Sequence, residues 1–351
     1  MRTLTRVMKA VVVHGAGDVR IDERPLPEPG PGEVLLALEW GGICGSDIAY
    51  WRKGASGTAA LTQPLVLGHE FAGRVAALGD GVTGLAEGQP VTVHPAQLVG
   101  DSALPDRIAG RTNLHPRVRY FGSAAFDPPT DGGFSEYRTV PADQIRPLPD
   151  GVDTQQGALA EPLAVALHAV GRVPELRGRT VLVNGCGPIG SLVVAAARHR
   201  GAGAVIAADL TASSLAVARA MGADETRELS AGAGLPEDVD VVFEASGAPA
   251  ALGPVLRATA RGGTLVQVGN LPGTPAPAAL GDLVTREITW IGSYRFVEEI
   301  DDALRALQGG LDLTPLITHR FPLTRAEEAL AVAAEPTSGS SKVMLHLAAG
   351  V

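Results

Sequence analysis

The 351-residue sequence has only two cysteines, Cys44 and Cys186. So few thiols exclude a disulfide framework and a four-cysteine structural metal knot, and they suit a reducing compartment, so a cytoplasmic location is expected. Positive charge is also in deficit: 29 Lys and Arg face 38 Asp and Glu, a formal net charge of −9. With no polybasic run, neither nucleic acid nor an anionic membrane is expected as a partner. No apolar run approaches the length of a membrane span, and the basic residues near the start are not followed by the apolar stretch of a signal peptide. Internal repeats, coiled-coil heptads and low-complexity tracts are lacking as well.

What remains is an ordinary globular composition, 45% hydrophobic and 19% charged, over a length sufficient for two domains. The chain opens β-rich. Residues 8–13 and 19–23 read as a hairpin, 33–39 as a strand running into Cys44, and 71–78, 91–93 and 135–140 as further strands. Residues 96–119, rich in Arg, Asp, Gly and Pro and without periodicity, read as a long surface excursion. The class changes at 155–170, a helix expected to break or bend at Glu161-Pro162 because a residue before proline is pushed from helical geometry. Strand and helix patterns then alternate. Strands are expected at 180–184, 204–208, 240–244, 264–269 and 287–293, with helices between several of them and at 300–307 and 324–333. A last strand, 342–347, is expected to rejoin the first domain.

Two constellations carry chemistry. The first is Cys44-Gly45-Ser46-Asp47, answered by Gly68-His69-Glu70 and by Glu161-Pro162. A thiolate, an imidazole and a carboxylate can hold a catalytic zinc and leave a position open. Taken singly, a cysteine is more often a small buried hydrophobe. The glycines beside these candidates point the other way, because they let the backbone turn tightly around a small site. Thiolate, neutral imidazole and one carboxylate together cancel the charge of the ion, so one of Glu70 and Glu161 is expected to bind and the other to adjoin it or exchange with it.

The second is Gly185-Cys186-Gly187-Pro188-Ile189-Gly190, preceded by a buried strand and followed by a helix. Asp209 ends the next strand at the distance a dinucleotide fingerprint requires. The glycines would admit a pyrophosphate to the helix N-terminus, and Asp209 would accept the adenosine ribose hydroxyls. No arginine follows Asp209 to compensate a 2′-phosphate, so NAD is expected over NADP. Cys186 and His168, the latter on an apolar helix, are given no chemistry.

With these motifs, and with 41–47, 66–70, 121–124, 131–134, 160–165, 187–190 and 315–323, the chain from Met8 onward resembles the zinc-dependent medium-chain dehydrogenases, in particular their sorbitol and L-idonate 5-dehydrogenase branch. The resemblance implies an α/β protein. A GroES-like β-rich catalytic domain would occupy residues 1–158, a Rossmann doubly wound parallel-sheet NAD-binding domain 159–295, and a return to the catalytic domain 296–351. It implies zinc on Cys44, His69 and Glu70 with Glu161 adjoining, and Asp47 behind the histidine. Ser46 would take the substrate proton, and Tyr50, Phe121, Arg295 and Phe296 would line a polyol pocket. Gly185, Gly187, Pro188, Ile189, Gly190, Asp209, Val268 and Arg295 would lie at the cofactor. The implied reaction is reversible, NAD-linked hydride transfer from a secondary alcohol of a polyol or sugar acid, in a homodimer or homotetramer. Cyclitols and amino-sugar intermediates are alternative substrates. A catalytically silent dinucleotide sensor is the reading from another class.

Two departures stand out. Relatives often carry four cysteines for a structural zinc in the stretch matching 96–119, and here there are none, so a single catalytic zinc is expected. Relatives usually place a proton-relaying histidine where this chain has Ala49.

Overall fold

The computed structural model describes residues 7–348. Two compact units emerge: residues up to Glu161 together with those from Ile317 onward, and residues Pro162–Leu316.

The first unit is built around strand Glu33–Gly42, whose Val34, Leu36 and Leu38 pack with Phe71, Val75 and Val91 in a shared core. One edge of this strand pairs antiparallel with Glu70–Leu78. The other edge is shared: residues 33–37 pair with Tyr137–Pro141, and residues 40–42 pair with Lys342–His346. The sheet has seven strands, and the C-terminal segment thus closes it. A smaller three-stranded sheet contains the hairpin Val7–Gly15 and Asp18–Pro25.

The second unit holds a six-stranded sheet, parallel throughout, in the spatial order Glu225–Glu228, Ala204–Asp209, Thr180–Asn184, Val239–Glu244, Thr259–Gln267 and Thr289–Gly292. This is the doubly wound order, which places the strands' C-terminal ends along one edge for ligand binding. Its central strands are buried on both faces, which explains their unbroken apolar runs.

Three local differences from the sequence reading have physical causes. The helical stretch breaks at Leu159, between Thr154–Ala158 and Ala160–Gly171. Pro162 therefore sits in a first turn, where its missing N–H costs nothing. The chain leaves the second unit at 316/317, not at 295/296. Helix Glu299–Gln308 buries Ile300, Ala303, Leu304 and Leu307, and Glu299 is hydrogen-bonded at 2.7 Å to His168 of the same unit. Burial is the largest influence and works to raise the Glu299 pKa, but the bond and charge of His168 and the backbone N–H of Val297 act together against it and hold the carboxyl below its ordinary value.

The stretch 96–119 is more ordered than its composition suggests, since Ala96–Leu98 and Val118–Tyr120 pair antiparallel. His115 ties it together: Nε2 reaches Ser102 O at 3.1 Å, and Arg117 N donates to Nδ1 at 3.2 Å. Arg117 and Arg119 lie over the Phe126 ring. A buried histidine and stacked guanidinium groups thus do the cross-linking in this lobe.

Candidate metal centre and dinucleotide edge

Cys44 follows strand Glu33–Gly42 and caps helix Gly45–Lys53. His69 precedes strand Glu70–Leu78, and Glu70 begins it directly across from Gly42. A Cβ at Gly42 would stand 2.2 Å from Glu70 Oε2, so a side chain there would displace the carboxylate from its place beside Lys342. Asp47, fully buried, joins the two ligand-bearing turns: Oδ2 accepts from Cys44 N at 2.8 Å and Oδ1 from Gly68 N at 3.1 Å. Its described hydrogen bonds thus go to the two backbones and not to the His69 ring.

The ligand atoms of Cys44, His69 and Glu70 all lie within 4.8 Å of one another. His69 and Glu70 are buried and Cys44 partly so. The pocket is short of positive charge. Burial opposes a charged His69, yet the Cys44 sulfur, Glu161 and Asp47 together pull its pKa well above that of free histidine. A divalent ion answers the same demand, and a thiolate–imidazole–carboxylate set with an open position is a zinc donor set.

Two further groups complete the centre, and neither stood out in the sequence. Lys342 is 1% exposed, and its Nζ lies 2.8 Å from both oxygens of Glu70 and 3.1 Å from Ile43 O. Burial works against the ammonium, but Glu70 and Cys44 beside it raise its pKa above the ordinary value. Its signal was a lysine opening an otherwise apolar strand. Tyr120 packs edge-on against His69 and donates its hydroxyl proton to Glu161 Oε1 at 2.6 Å. Burial, above all, raises the Glu161 pKa. Ser46 Oγ is buried without a hydrogen-bond partner among the described residues, an orphan of the kind that a substrate hydroxyl would satisfy.

In the second unit, Gly187 caps helix Pro188–His199 in an extended conformation. Protein atoms exclude a side chain at two fingerprint glycines: a Cβ at Gly190 would lie 1.8 Å from Gly185 O, and one at Gly185 2.5 Å from Ser246 N. At Gly187 a Cβ would meet no protein atom within 4 Å. That open space at a helix N-terminus fits a pyrophosphate. Asp209 Oδ2 accepts from Cys186 N at 2.7 Å, and Oδ1 accepts from Thr211 N at 2.9 Å and from the Thr211 hydroxyl at 3.1 Å, leaving a lone pair on Oδ2 for a ribose hydroxyl. Glu228 stands in register beside Asp209 on the neighbouring strand and adds negative charge there.

Known proteins show the same plan. Residues 30–150 match the alcohol dehydrogenase GroES-like domain, and residues 188–309 match the zinc-binding dehydrogenase family. Sorbitol dehydrogenase of Gallus gallus is 38% identical over 335 residues, 91% of each chain. The chain belongs to the zinc-binding medium-chain dehydrogenases. The solved structure of L-idonate 5-dehydrogenase from Escherichia coli K-12 superposes on this dehydrogenase with a TM-score of 0.88 at 35% identity, covering 97% of this chain and 98% of that one. A Sinorhizobium meliloti protein described as a zinc-binding dehydrogenase, bound to NADP, gives 0.86 at 33% identity, covering 97% and 99%. Zinc and a nicotinamide dinucleotide are the cofactors of this family.

The remaining expected site residues of the dehydrogenase divide between its units. Tyr50 and Phe121 are buried in the first core, and the Tyr50 hydroxyl accepts from Ala124 N at 2.9 Å. Phe121 is tilted against Phe71 with Arg138 over its ring. Arg295 and Phe296 follow strand Thr289–Gly292 in the second unit, Arg295 with a φ of 51° and its guanidinium over the Tyr294 ring. Val268 follows strand Thr259–Gln267, its N–H donating to Glu244 O at 2.8 Å.

Proposed function

We propose that this dehydrogenase oxidises a secondary alcohol of a polyol or sugar acid with NAD, in the manner of a sorbitol or L-idonate 5-dehydrogenase, with one catalytic zinc per chain on Cys44, His69 and Glu70. The observation that carries the reading is the clustering of those three ligand atoms within 4.8 Å, with the unpartnered Ser46 hydroxyl close by in the chain. When bound, the metal supplies Lewis acidity toward the substrate hydroxyl and the dinucleotide supplies the hydride acceptor. The protein's own part is positional and protonic. Asp47 fixes the ligand turns, and Lys342 orients Glu70 and balances its charge. Ser46 Oγ receives the substrate proton, and Glu161, held by Tyr120, is the base that takes it onward where a histidine is replaced by Ala49. Tyr50 and Phe121 brace the pocket wall from within the core of the first unit. Asp209, with Glu228 beside it, selects NAD by repelling a 2′-phosphate.

The test is a substrate panel with the zinc-loaded protein and each of NAD and NADP: sorbitol, L-idonate, a cyclitol, an amino sugar and simple secondary alcohols. Cofactor reduction with a polyol or sugar acid and NAD is expected. Turnover confined to simple alcohols, or equal use of NADP, contradicts the reading.

A further inference from the structure

Glu244 ends a central strand of the parallel sheet, is fully buried, and faces no cationic side chain among its described hydrogen-bond partners. Its oxygens are instead surrounded by donors. Oε1 accepts from Ser246 N at 2.8 Å, from the Ser246 hydroxyl and, at 3.4 Å, from Asn184 Nδ2. Oε2 accepts from Gly247 N at 3.1 Å and Gln267 Nε2 at 2.5 Å. Its main-chain carbonyl accepts from both Val268 N and Gly269 N at 2.8 Å.

These partners belong to three different strand ends. Asn184 immediately precedes the glycine-rich turn, Ser246 and Gly247 form the loop after Val239–Glu244, and Gln267 ends the next strand. The loops are packed tightly enough that a Cβ at Gly269 would lie 2.3 Å from Gly247 N, just as one at Gly185 would strike Ser246. Asp209 is not in this network, since its carboxylate is bonded to Cys186 N and Thr211.

We infer that Glu244 is a positioning residue for the dinucleotide: its carboxylate locks the three loops at the sheet's C-terminal edge into the shape that receives the cofactor beyond its adenosine end. The inference rests on the dinucleotide reading of the glycine turn. The physical reason a carboxylate is needed is that every neighbour is a donor. Glutamine at this position is the same size, but its amide nitrogen would face either the Ser246 pair or the Gly247–Gln267 pair, donor against donor.

The experiment compares NADH and AMP binding to the zinc-loaded protein and to Glu244→Gln, with calorimetric unfolding of each. NADH binding to the unmutated protein tests the dinucleotide reading by itself. For Glu244→Gln a loss of at least tenfold in NADH affinity is expected, with AMP affinity within threefold and zinc content unchanged. A carboxylate that merely fills volume would be replaced by its isostere without loss of NADH affinity, and that result overturns the inference. Equal losses for AMP and NADH overturn it too, because they signal general loosening. If Glu244→Gln does not fold, Gln267→Met, which removes the amide that bonds Glu244 Oε2 and Gly269 O, decides: a threefold or greater loss for NADH with AMP unchanged supports the assignment, and unchanged NADH affinity refutes it.

Discussion

Replacing Lys342 with methionine isolates the charge logic of the metal centre. The ammonium sits 2.8 Å from both oxygens of Glu70, and both side chains are essentially excluded from water. Methionine keeps the length and apolar stem but leaves the buried Glu70 carboxylate unpaired, a change that costs about 3–5 kcal/mol when one partner of a buried ion pair is removed. In the metal-free protein the melting point should therefore fall by roughly 6–20 °C, taking about 2–4 °C per kcal/mol for a unit of this size. With zinc bound, the metal shares the charge of Glu70, so much of the loss should be recovered, and zinc should raise the melting temperature of Lys342→Met more than that of the unmutated protein. Scanning calorimetry of both proteins, with and without zinc, measures all four values. An equal loss in the presence and absence of zinc would refute the argument that lysine and metal answer the same charge.

Asp209→Ala should weaken NAD by about 1.5–3 kcal/mol, the worth of a charged hydrogen bond, and narrow the gap to NADP; an unchanged NAD:NADP ratio counts against the ribose assignment. Metal analysis should give one zinc per chain, and two tightly held ions would contradict the donor set proposed here. After chelation, Cys44 should become alkylatable at neutral pH while Cys186, whose thiol burial and the neighbouring Asp209 push up to about 12, stays unlabelled, as peptide mass mapping would show. Ser46→Ala and Glu161→Gln should each lower alcohol oxidation by about 10² or more, whereas Ala49→His should change it less than about tenfold; full activity in zinc-loaded Ser46→Ala would remove serine from the proton path.

The sequence reveals what is written locally. Strand, glycine turn, helix and a terminal Asp209 fall within one short stretch, so the cofactor unit could be read from period and spacing alone. The candidate ligands Cys44, His69 and Glu70, which the fold brings together, stood out because glycines lie in the turns around them. Strand Glu225–Glu228 went unread because it is a polar edge strand with no buried face to impose alternation. The unit to which 296–316 belongs was equally hidden, since an amphipathic helix has the same pattern whichever core it covers. The paired strands within 96–119 were masked by a lobe that is cross-linked through His115 rather than through a periodic core. Lys342 is separated from Glu70 by 272 positions, and nothing in either local pattern names the other.

That lysine alters how the two carboxylates should be read. Counted from Cys44, His69 and the glutamates alone, a site with both Glu70 and Glu161 close to zinc carries an excess negative charge, and one carboxylate would have to stand aside. Of the three anionic groups Cys44, Glu70 and Glu161, Lys342 balances one and leaves two negative charges for a divalent ion, while a fourth, Asp47, is held by the backbone N–H groups of Cys44 and Gly68. Both carboxylates can then remain in the pocket with different duties fixed by their partners. Glu70, clamped by the ammonium and grouped with Cys44 and His69, is suited to ligation. Glu161 lies outside that ligand group and is held through one oxygen by a phenol, which leaves its other oxygen to exchange a proton. In the proposed proton path a carboxylate positioned in that way would stand in for a histidine at Ala49, and proton release would then fall to Glu161 and Tyr120.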